Sequence, residues 1–167
     1  MTGRFIGGAR TWEVALGTSS AGAPGAVEID DVSVVDVWER IKSDATAVLV
    51  DVRTRAEWTY VGLPDLSSIG KKPVTVEWQT YPAGQVDPQF AARLAAALDE
   101  AGVGTEIEIF FICRSGGRSK AAAAIMATMG FTRCRNVADG FEGPLDQLRH
   151  RGRIGGWKAA GLPWVQG

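Results

Sequence analysis

From residue 27 onward, short apolar runs alternate with segments whose apolar residues follow a helical spacing. An apolar run of about four to eight residues between turn signals is typical of a buried strand. Because parallel strands are joined by long crossover connections, strands that alternate with helices favour a parallel sheet. The strands that the pattern predicts are 47–52 (AVLVDV), 72–78 (KPVTVEW), 107–112 (IEIFFI) and 134–140 (CRNVADG, a strand and its turn).

Helix-start signals lie between these strands. Thr54 and Glu57 have the spacing of a capping box and predict a short helix. Asp87 before Pro88 has the pattern of an N-cap followed by proline at the first helical position. Residues 119–130 (SKAAAAIMATMG) are rich in alanine and end on a glycine, which is typical of a helix. The alternation predicts an α/β fold, a mainly parallel sheet flanked by helices on both faces.

A segment of small residues separates the N-terminus from this pattern. Residues 17–26 (GTSSAGAPGA) are rich in Gly, Ser and Pro, which is typical of a linker. We therefore expect an N-terminal extension and linker over residues 1–26 and one domain over residues 27–167. The 167 residues, 46% of them hydrophobic and 22% charged, are enough to build one core.

The charge is unevenly distributed, although the net charge is only −1. Residues 1–112 hold 9 Lys/Arg and 16 Asp/Glu, a net of −7, whereas residues 113–167 hold 9 Lys/Arg and 3 Asp/Glu, a net of +6. The total argues against a nucleic-acid or membrane-surface partner. The basic second part fits a small anionic substrate, and the alternative is a solvated basic surface.

The two cysteines, Cys113 and Cys134, are too few for a disulfide scaffold and lack metal-binding spacing. No apolar run reaches the length of about 20 residues that spans a membrane. We therefore expect a soluble, cytoplasmic, monomeric protein with reduced thiols and with neither a metal nor an organic cofactor.

The chemistry is concentrated in residues 113–119 (CRSGGRS), between an apolar strand and a helix. A cysteine is a nucleophile as its thiolate, and a helix N-terminus with neighbouring arginines stabilises that anion. Two glycines allow the positive φ angles with which backbone N–H groups converge on an anion. The alternative is a glycine-rich turn with a buried, inert thiol. The residues assigned to the site are Cys113, Arg114, Ser115, Gly116, Gly117, Arg118 and Ser119.

With its preceding strand, this loop resembles the active-site loop of rhodanese-family sulfurtransferases. The similarity includes residues 48–58 (VLVDVRTRAEW), 130–143 (GFTRCRNVADGFEG) and 156–164 (GWKAAGLPW). The resemblance implies a five-stranded parallel sheet flanked by helices. It also implies that Cys113 carries sulfur as a persulfide between a donor such as thiosulfate and a thiophilic acceptor, for instance a protein or small-molecule thiol.

The spacing of the loop bears on which anion it takes. Cys113 and Arg118 are the ends of a six-residue C-x4-R segment, and Ile112 precedes the cysteine. In the family that the chain resembles, six-residue loops accompany sulfur transfer, and phosphatase relatives have longer loops. A small phosphatase or arsenate reductase, and a non-catalytic sulfur-sensing or protein-binding module, remain the alternatives.

The resemblance also assigns supporting roles. Arg114 and Arg118 would bind the anionic end of the donor. Asp51 would orient the loop or pair with an arginine, and we expect Arg53 and Glu57 to form a structural ion pair. The chain departs from the family's common Gly-His-Ile-Pro-Gly-Ala pattern after the first strand motif, which affects the expected pocket wall. Three aromatic residues are candidates for that wall: Trp78, Tyr81 and Phe141.

Overall fold

The computed structural model describes residues 27–167, so the expected extension over residues 1–26 lies outside the described residues. The strands are β1 (Asp31–Val32), β2 (Val48–Asp51), β3 (Leu63–Pro64), β4 (Val74–Thr75), β5 (Ile109–Ile112), β6 (Cys134–Val137) and β7 (Trp164–Val165). The helices are α1 (Val34–Ser43), α2 (Arg55–Tyr60), α3 (Phe90–Glu100), α4 (Gly117–Thr128) and α5 (Gly156–Ala159), with a 3-10 turn at Ser67–Ile69. Within residues 27–167, none of the helices is long and apolar enough to cross a membrane.

Five of the strands form one sheet in the order β1-β6-β5-β2-β4, and every neighbouring pair is parallel. The predicted parallel α/β sheet is therefore confirmed. The register pairs Asp51 with Ile112, so β2 and β5 end at the same level. Residues that follow these two strands are consequently neighbours at the carboxyl edge of the sheet, where open α/β sheets place their ligand sites.

Helices cover both faces of the sheet because the strand side chains alternate. Ile109 and Phe111 of β5 pack into a core with residues of α3 and α4. Phe110 and Ile112 of the same strand pack on the other face with residues of α1 and with Trp157 of α5. All four β5 residues are buried, which explains why this strand is apolar throughout rather than alternating.

The helix-start signals predicted the first residue of α2 correctly, whereas α3 begins later than predicted. Thr54 caps α2, and its side chain and that of Glu57 form the reciprocal bonds of a capping box. Helix α3 begins at Phe90, two residues after the predicted first helical position. The reason is a turn in which Asp87 accepts hydrogen bonds from the backbone N–H groups of Gln89 and Phe90 before the helix begins.

Strand β4 is shorter than the predicted strand over residues 72–78. Only Val74 and Thr75 pair regularly with β2. The chain continues along the edge of the sheet, and Trp78 still donates its backbone N–H to the carbonyl of Val52 at 3.1 Å. The sequence pattern therefore predicted a strand at this place correctly but not where its regular pairing ends.

The C-terminal segment is tied to the residues that precede the 3-10 turn. Strands β3 and β7 pair antiparallel in a separate two-stranded sheet. Trp157 is fully buried and donates its indole N–H to the carbonyl of Pro163 at 2.7 Å. Trp164 packs edge-on against Phe141 with ring centroids 6.3 Å apart. The two tryptophans thereby hold the end of the chain on the domain.

Candidate active site

The site lies in the loop that connects β5 with α4 at the carboxyl edge of the sheet. Cys113 directly follows β5, and α4 begins at Gly117. Gly116 has a φ angle of 100°, a left-handed conformation that side-chain-bearing residues rarely adopt. The chain can therefore reverse within three residues of Cys113 and direct the Gly116 N–H toward it.

The Cys113 sulfur has two hydrogen-bond partners in this turn. The backbone N–H of Gly116 lies 3.1 Å from Sγ, and the Ser119 hydroxyl lies 3.1 Å from it on the first turn of α4. Only 1% of the surface of Cys113 is exposed, yet the residue forms part of the wall of an open pocket. A thiol with an amide donor, a hydroxyl and an open pocket differs from an inert core cysteine.

Arg118 forms a bidentate ion pair with Glu57, and this corrects one expectation. Its Nη1 and Nη2 atoms lie 2.9 and 2.7 Å from the two Glu57 carboxylate oxygens. Glu57 therefore pairs across the pocket with Arg118 and not with Arg53, so the predicted pair of Arg53 and Glu57 is wrong. Arg53 turns into the core, whereas α2 presents Glu57 to the start of α4.

This contact determines the ionisation of Glu57. Burial raises the pKa of its carboxyl group, but the hydrogen bonds and charge of Arg118 and the hydrogen bonds of Thr54 outweigh burial and lower the pKa to about 2. In return, the hydrogen bonds of Glu57 raise the pKa of Arg118 above its usual value, against the effect of burial. Both groups therefore stay charged at neutral pH.

Asp51 and Arg53 form a fully buried ion pair beneath the site. Arg53 Nη2 lies 2.6 Å from Asp51 Oδ2, and Nε lies 3.0 Å from Oδ1. The same guanidinium donates to the carbonyl of Gly62 and lies over the ring of Phe141 at 4.1 Å. Both side chains have no exposed surface, so the pair supports the fold around the loop and is not available to a ligand.

The segment after β6 holds the loop from behind, which sequence reasoning did not identify. Phe141 and Glu142 donate their backbone N–H groups to the carbonyls of Cys113 and Arg114 at 2.8 and 2.9 Å. Gly140 has a φ angle of 63°, and a Cβ there would overlap the Cys113 carbonyl. The available signal was the ADGFEG stretch, whose glycines permit this close approach of two backbones.

The pocket in front of the sulfur has a volume of about 790 Å³, in the range of sites for molecules larger than a small inorganic anion. Its mouth is formed by Tyr60 and Tyr81, which are 76% and 72% exposed. Of the three aromatic candidates, only Tyr81 lines the pocket, because Trp78 packs on Phe90 and the remaining candidate is fully buried. The other loop residues at the pocket are Arg114, Ser115, Gly117 and Arg118.

The second cysteine lies in the core, away from this chemistry. Cys134 is 3% exposed and belongs to the apolar cluster with Met126 and Phe131. Burial raises the pKa of its thiol to about 11, so it stays protonated at neutral pH. His150 is exposed on the surface, at 3.8 Å from Asp146. Neither residue takes part in the site.

The sheet has five parallel strands, and the cysteine loop at its carboxyl edge leads into a helix. This arrangement is that of a rhodanese-like α/β fold. A family sequence model described as the STR4 middle domain matches residues 30–167, and the chain belongs to this family.

The chain is also similar to known proteins in sequence and in structure. An uncharacterized protein of Rickettsia conorii is 32% identical over 138 residues, which cover 83% of this chain and 98% of that protein. The crystal structure of Rv0390 from M. tuberculosis has 44% identity and a TM-score of 0.75, and the match covers 84% of this chain and all of that one. Rhodanese-like domain-containing protein 4, chloroplastic, of Arabidopsis thaliana is 26% identical over 80% of this chain and 25% of its own length.

Proposed function

We propose that the chain is a sulfurtransferase in which Cys113 accepts a sulfur atom from a donor and passes it to a thiophilic acceptor. The observation that carries this proposal is the Cys113 sulfur, which lies within hydrogen-bond distance of a backbone N–H and a hydroxyl at a helix N-terminus. It adjoins an open pocket lined by three arginines, Arg114, Arg118 and Arg151. Membership of a family with a relative named as rhodanese-like supports the same chemistry.

In the first half-reaction, the Cys113 thiolate attacks the outer sulfur of the donor. The bond between the two donor atoms breaks and its electron pair leaves with the remainder, which is sulfite when the donor is thiosulfate. The anionic end of the donor meets Arg114, which is exposed at the pocket and, within residues 27–167, has no carboxylate partner. Arg118 is the second donor-binding group, and it has to share its charge with Glu57.

In the second half-reaction, the acceptor attacks the terminal sulfur of the persulfide and the Cys113 thiolate leaves. The developing charge on Sγ is received again by the Gly116 N–H and the Ser119 hydroxyl. Separating the transfer into two displacements is the usual advantage of covalent catalysis and gives ping-pong kinetics. The pocket of about 790 Å³ leaves room for an acceptor thiol with an organic body.

The six-residue loop from Cys113 to Arg118 favours sulfur transfer over a phosphatase, since phosphatase relatives in the family that the chain resembles have longer loops. Both outer nitrogens of Arg118 bond to Glu57, at 2.9 and 2.7 Å, which weakens the binding of any tetrahedral dianion there, thiosulfate included. Turnover of a chromogenic phosphate ester without any sulfur transfer would favour the phosphatase.

Mass spectrometry of the intact, reduced protein after exposure to thiosulfate tests the proposal directly. We expect a mass gain of one sulfur atom on the peptide with Cys113, removed again by cyanide with release of thiocyanate. The peptide with Cys134 serves as an internal control and should stay unmodified, because its thiol is buried and protonated. Absence of a sulfur adduct on Cys113 with thiosulfate, polysulfide and an organic persulfide would favour the non-catalytic binding module.

The change Glu57→Gln should improve the use of thiosulfate. Glutamine keeps the capping position of α2 but no longer neutralises Arg118, which becomes free for the donor. We expect the KM for thiosulfate to fall about tenfold, since a charge-assisted hydrogen bond is gained in the complex. The measurement is thiosulfate:cyanide kinetics, in which the gain should disappear when Glu57→Gln is combined with Arg118→Ala.

Glu142→Gln is the matched control, because Glu142 also lines the pocket but does not pair with Arg118. An equal fall in KM for both variants would indicate a general charge effect.

The ion pair of Glu57 and Arg118 also predicts how the free energy of unfolding changes with pH. Since the pKa of Glu57 falls from 4.5 to about 2 on folding, its stabilising contribution is complete above pH 4.5 and is lost as the pH falls toward 2. The stability difference between wild type and Glu57→Gln should shrink over that interval in urea unfolding.

A further inference from the structure

A chain of hydrogen bonds leads from the Cys113 sulfur to the protein surface. Ser119 Oγ lies 3.1 Å from Cys113 Sγ and 2.6 Å from Asn136 Oδ1. Asn136 Nδ2 donates to Asp31 Oδ1 at 2.7 Å, and Asp31 Oδ2 pairs with Lys120 at 2.8 Å. Ser119 and Asn136 are buried, whereas half of the Asp31 side chain is exposed. Two buried polar residues thus connect the sulfur with a surface carboxylate.

Asp31 determines which way the Asn136 amide faces. The two residues are register partners on the neighbouring parallel strands β1 and β6. An ionised carboxylate only accepts hydrogen bonds, so the amide must direct its Nδ2 group toward Asp31. The Oδ1 atom then necessarily faces Ser119 and can only accept from it.

Ser119 therefore has one proton for several acceptors. Its hydroxyl lies within hydrogen-bond distance of Asn136 Oδ1, Cys113 Sγ and the Gly116 carbonyl, and Asn136 is the nearest at 2.6 Å. While the sulfur is uncharged, the hydroxyl donates to Asn136. When the thiol loses its proton to solvent, the hydroxyl can turn to the thiolate only by leaving the buried Asn136 oxygen without a donor, which carries a free-energy cost.

We propose that Asn136, oriented by Asp31, is a positioning residue that competes with the Cys113 thiolate for the Ser119 proton. It thereby opposes ionisation of the thiol and keeps the thiolate less tightly held. The inference rests on the proposed function in taking Cys113 as the nucleophile. A less stabilised thiolate is intrinsically the stronger nucleophile. In the persulfide the inner sulfur carries no charge, and the Ser119 proton returns to Asn136.

Other charged groups also face the loop, and the test has to leave them in place. The electric field of these groups affects ionisation of the Cys113 thiol in every variant alike. The competition for the Ser119 proton, in contrast, acts only through Asn136. The groups are Arg114 on the loop, Arg118 on α4, Glu57 on α2, Glu142 and Arg151 after β6, and the Asp51–Arg53 pair after β2.

The experiment measures the rate of Cys113 alkylation by iodoacetamide against pH, followed on the intact full-length protein and its Cys113 peptide by mass spectrometry. For Asn136→Leu and for Asp31→Ala we expect the midpoint to move to lower pH. Below the wild-type midpoint, alkylation should become faster by about twofold, because the gain in thiolate from one hydrogen bond is partly offset by its weaker nucleophilicity. In a Ser119→Ala background, Asn136→Leu should leave the profile unchanged, because no proton remains to be shared.

Three surface variants separate the effect of the Asn136 amide orientation from the effect of surface charge. Asp31→Asn removes the charge, and its amide can donate as well as accept, so it no longer fixes the Asn136 amide and its midpoint should fall as in Asp31→Ala. Asp30→Ala removes a neighbouring carboxylate that pairs with Arg135 and should also have no effect. Lys120→Ala removes the ion pair with Asp31 but keeps the bond to Asn136, so the midpoint should not fall.

Two results would overturn the proposal. Equal shifts for Asp30→Ala and Asp31→Ala would show that charge alone acts, and a shift by Asn136→Leu without Ser119 would show that the hydroxyl is not the mediator. Alkylation needs no sulfur donor, so the readout is separate from activity. If the expected alkylation shifts were found in a protein that takes up no sulfur, the proposed function would be contradicted. The proposed competition for the Ser119 proton would still be supported.

Discussion

Replacement of Cys113 by serine is expected to lower the rate of sulfur transfer at least about a thousandfold, because the group that forms the covalent intermediate is lost. A hydroxyl is far less acidic than a thiol and cannot carry a persulfide. The measurement is thiosulfate:cyanide kinetics with detection of thiocyanate, together with mass spectrometry of the protein after donor treatment. Neither turnover nor an added sulfur should be found.

The fold should survive this change, which separates chemistry from structure. The serine oxygen can accept the same N–H of Gly116 and share a hydrogen bond with Ser119, so no buried group is left without a partner. Cys134→Ser is the matched control, since it alters the other buried thiol and leaves the pocket intact. Retained transfer in Cys113→Ser, or equal loss in Cys134→Ser, would contradict the assignment of the nucleophile.

Disruption of the buried pair of Asp51 and Arg53 is expected to have the largest effect on stability. In Asp51→Asn the Arg53 guanidinium keeps its charge with no exposed surface and without its carboxylate. Losing one partner of a buried ion pair costs about 3–5 kcal/mol of the free energy of unfolding. Because Arg53 also bonds to the Gly62 carbonyl and covers the Phe141 ring, the damage should reach the supports of the loop. Urea unfolding measures the first effect and donor kinetics the second.

A double variant tests whether the unpaired buried charge is the cause of the lost stability. Asp51→Leu combined with Arg53→Met removes both charges and should be more stable than either single variant, because no buried charge remains unpaired. Lys42→Ala serves as a surface control. Its partner Glu39 is 58% exposed, and the change should alter stability by less than about 0.5 kcal/mol. If the double variant were as unstable as the sum of the single ones, the ion pair would not be the cause.

The strand, loop and helix around Cys113 could be predicted because their signals are local. An apolar run, two glycines and an alanine-rich segment follow one another within residues 107–130, and each fixes its own backbone. The parallel α/β sheet followed from the same alternation, whereas its five strands were implied by the family resemblance. The extent of the short edge strand β4 was harder to predict, because only two of its residues pair regularly and their pairing depends on contacts with β2.

The partners of the charged residues could not be predicted, since those contacts join distant parts of the chain. Arg53 and Glu57 are close in sequence, which favoured a local pair, yet Glu57 bonds to a guanidinium 61 residues away. Asn136 and Asp31 are 105 residues apart and meet only because β1 and β6 are neighbours. Sequence patterns indicate which side chains are polar, whereas the topology of the sheet decides which of them meet.

The backbone bonds behind the loop give it a fixed polarity. The carbonyls of Cys113 and Arg114 accept from the segment after β6, and the Gly116 carbonyl accepts from Lys120 within α4. A peptide unit whose oxygen is committed in this way cannot rotate to present that oxygen to the ligand. The dipoles of these three peptide units therefore keep one direction through loading and unloading, and no energy is spent on turning them when the charge moves between the two sulfur atoms.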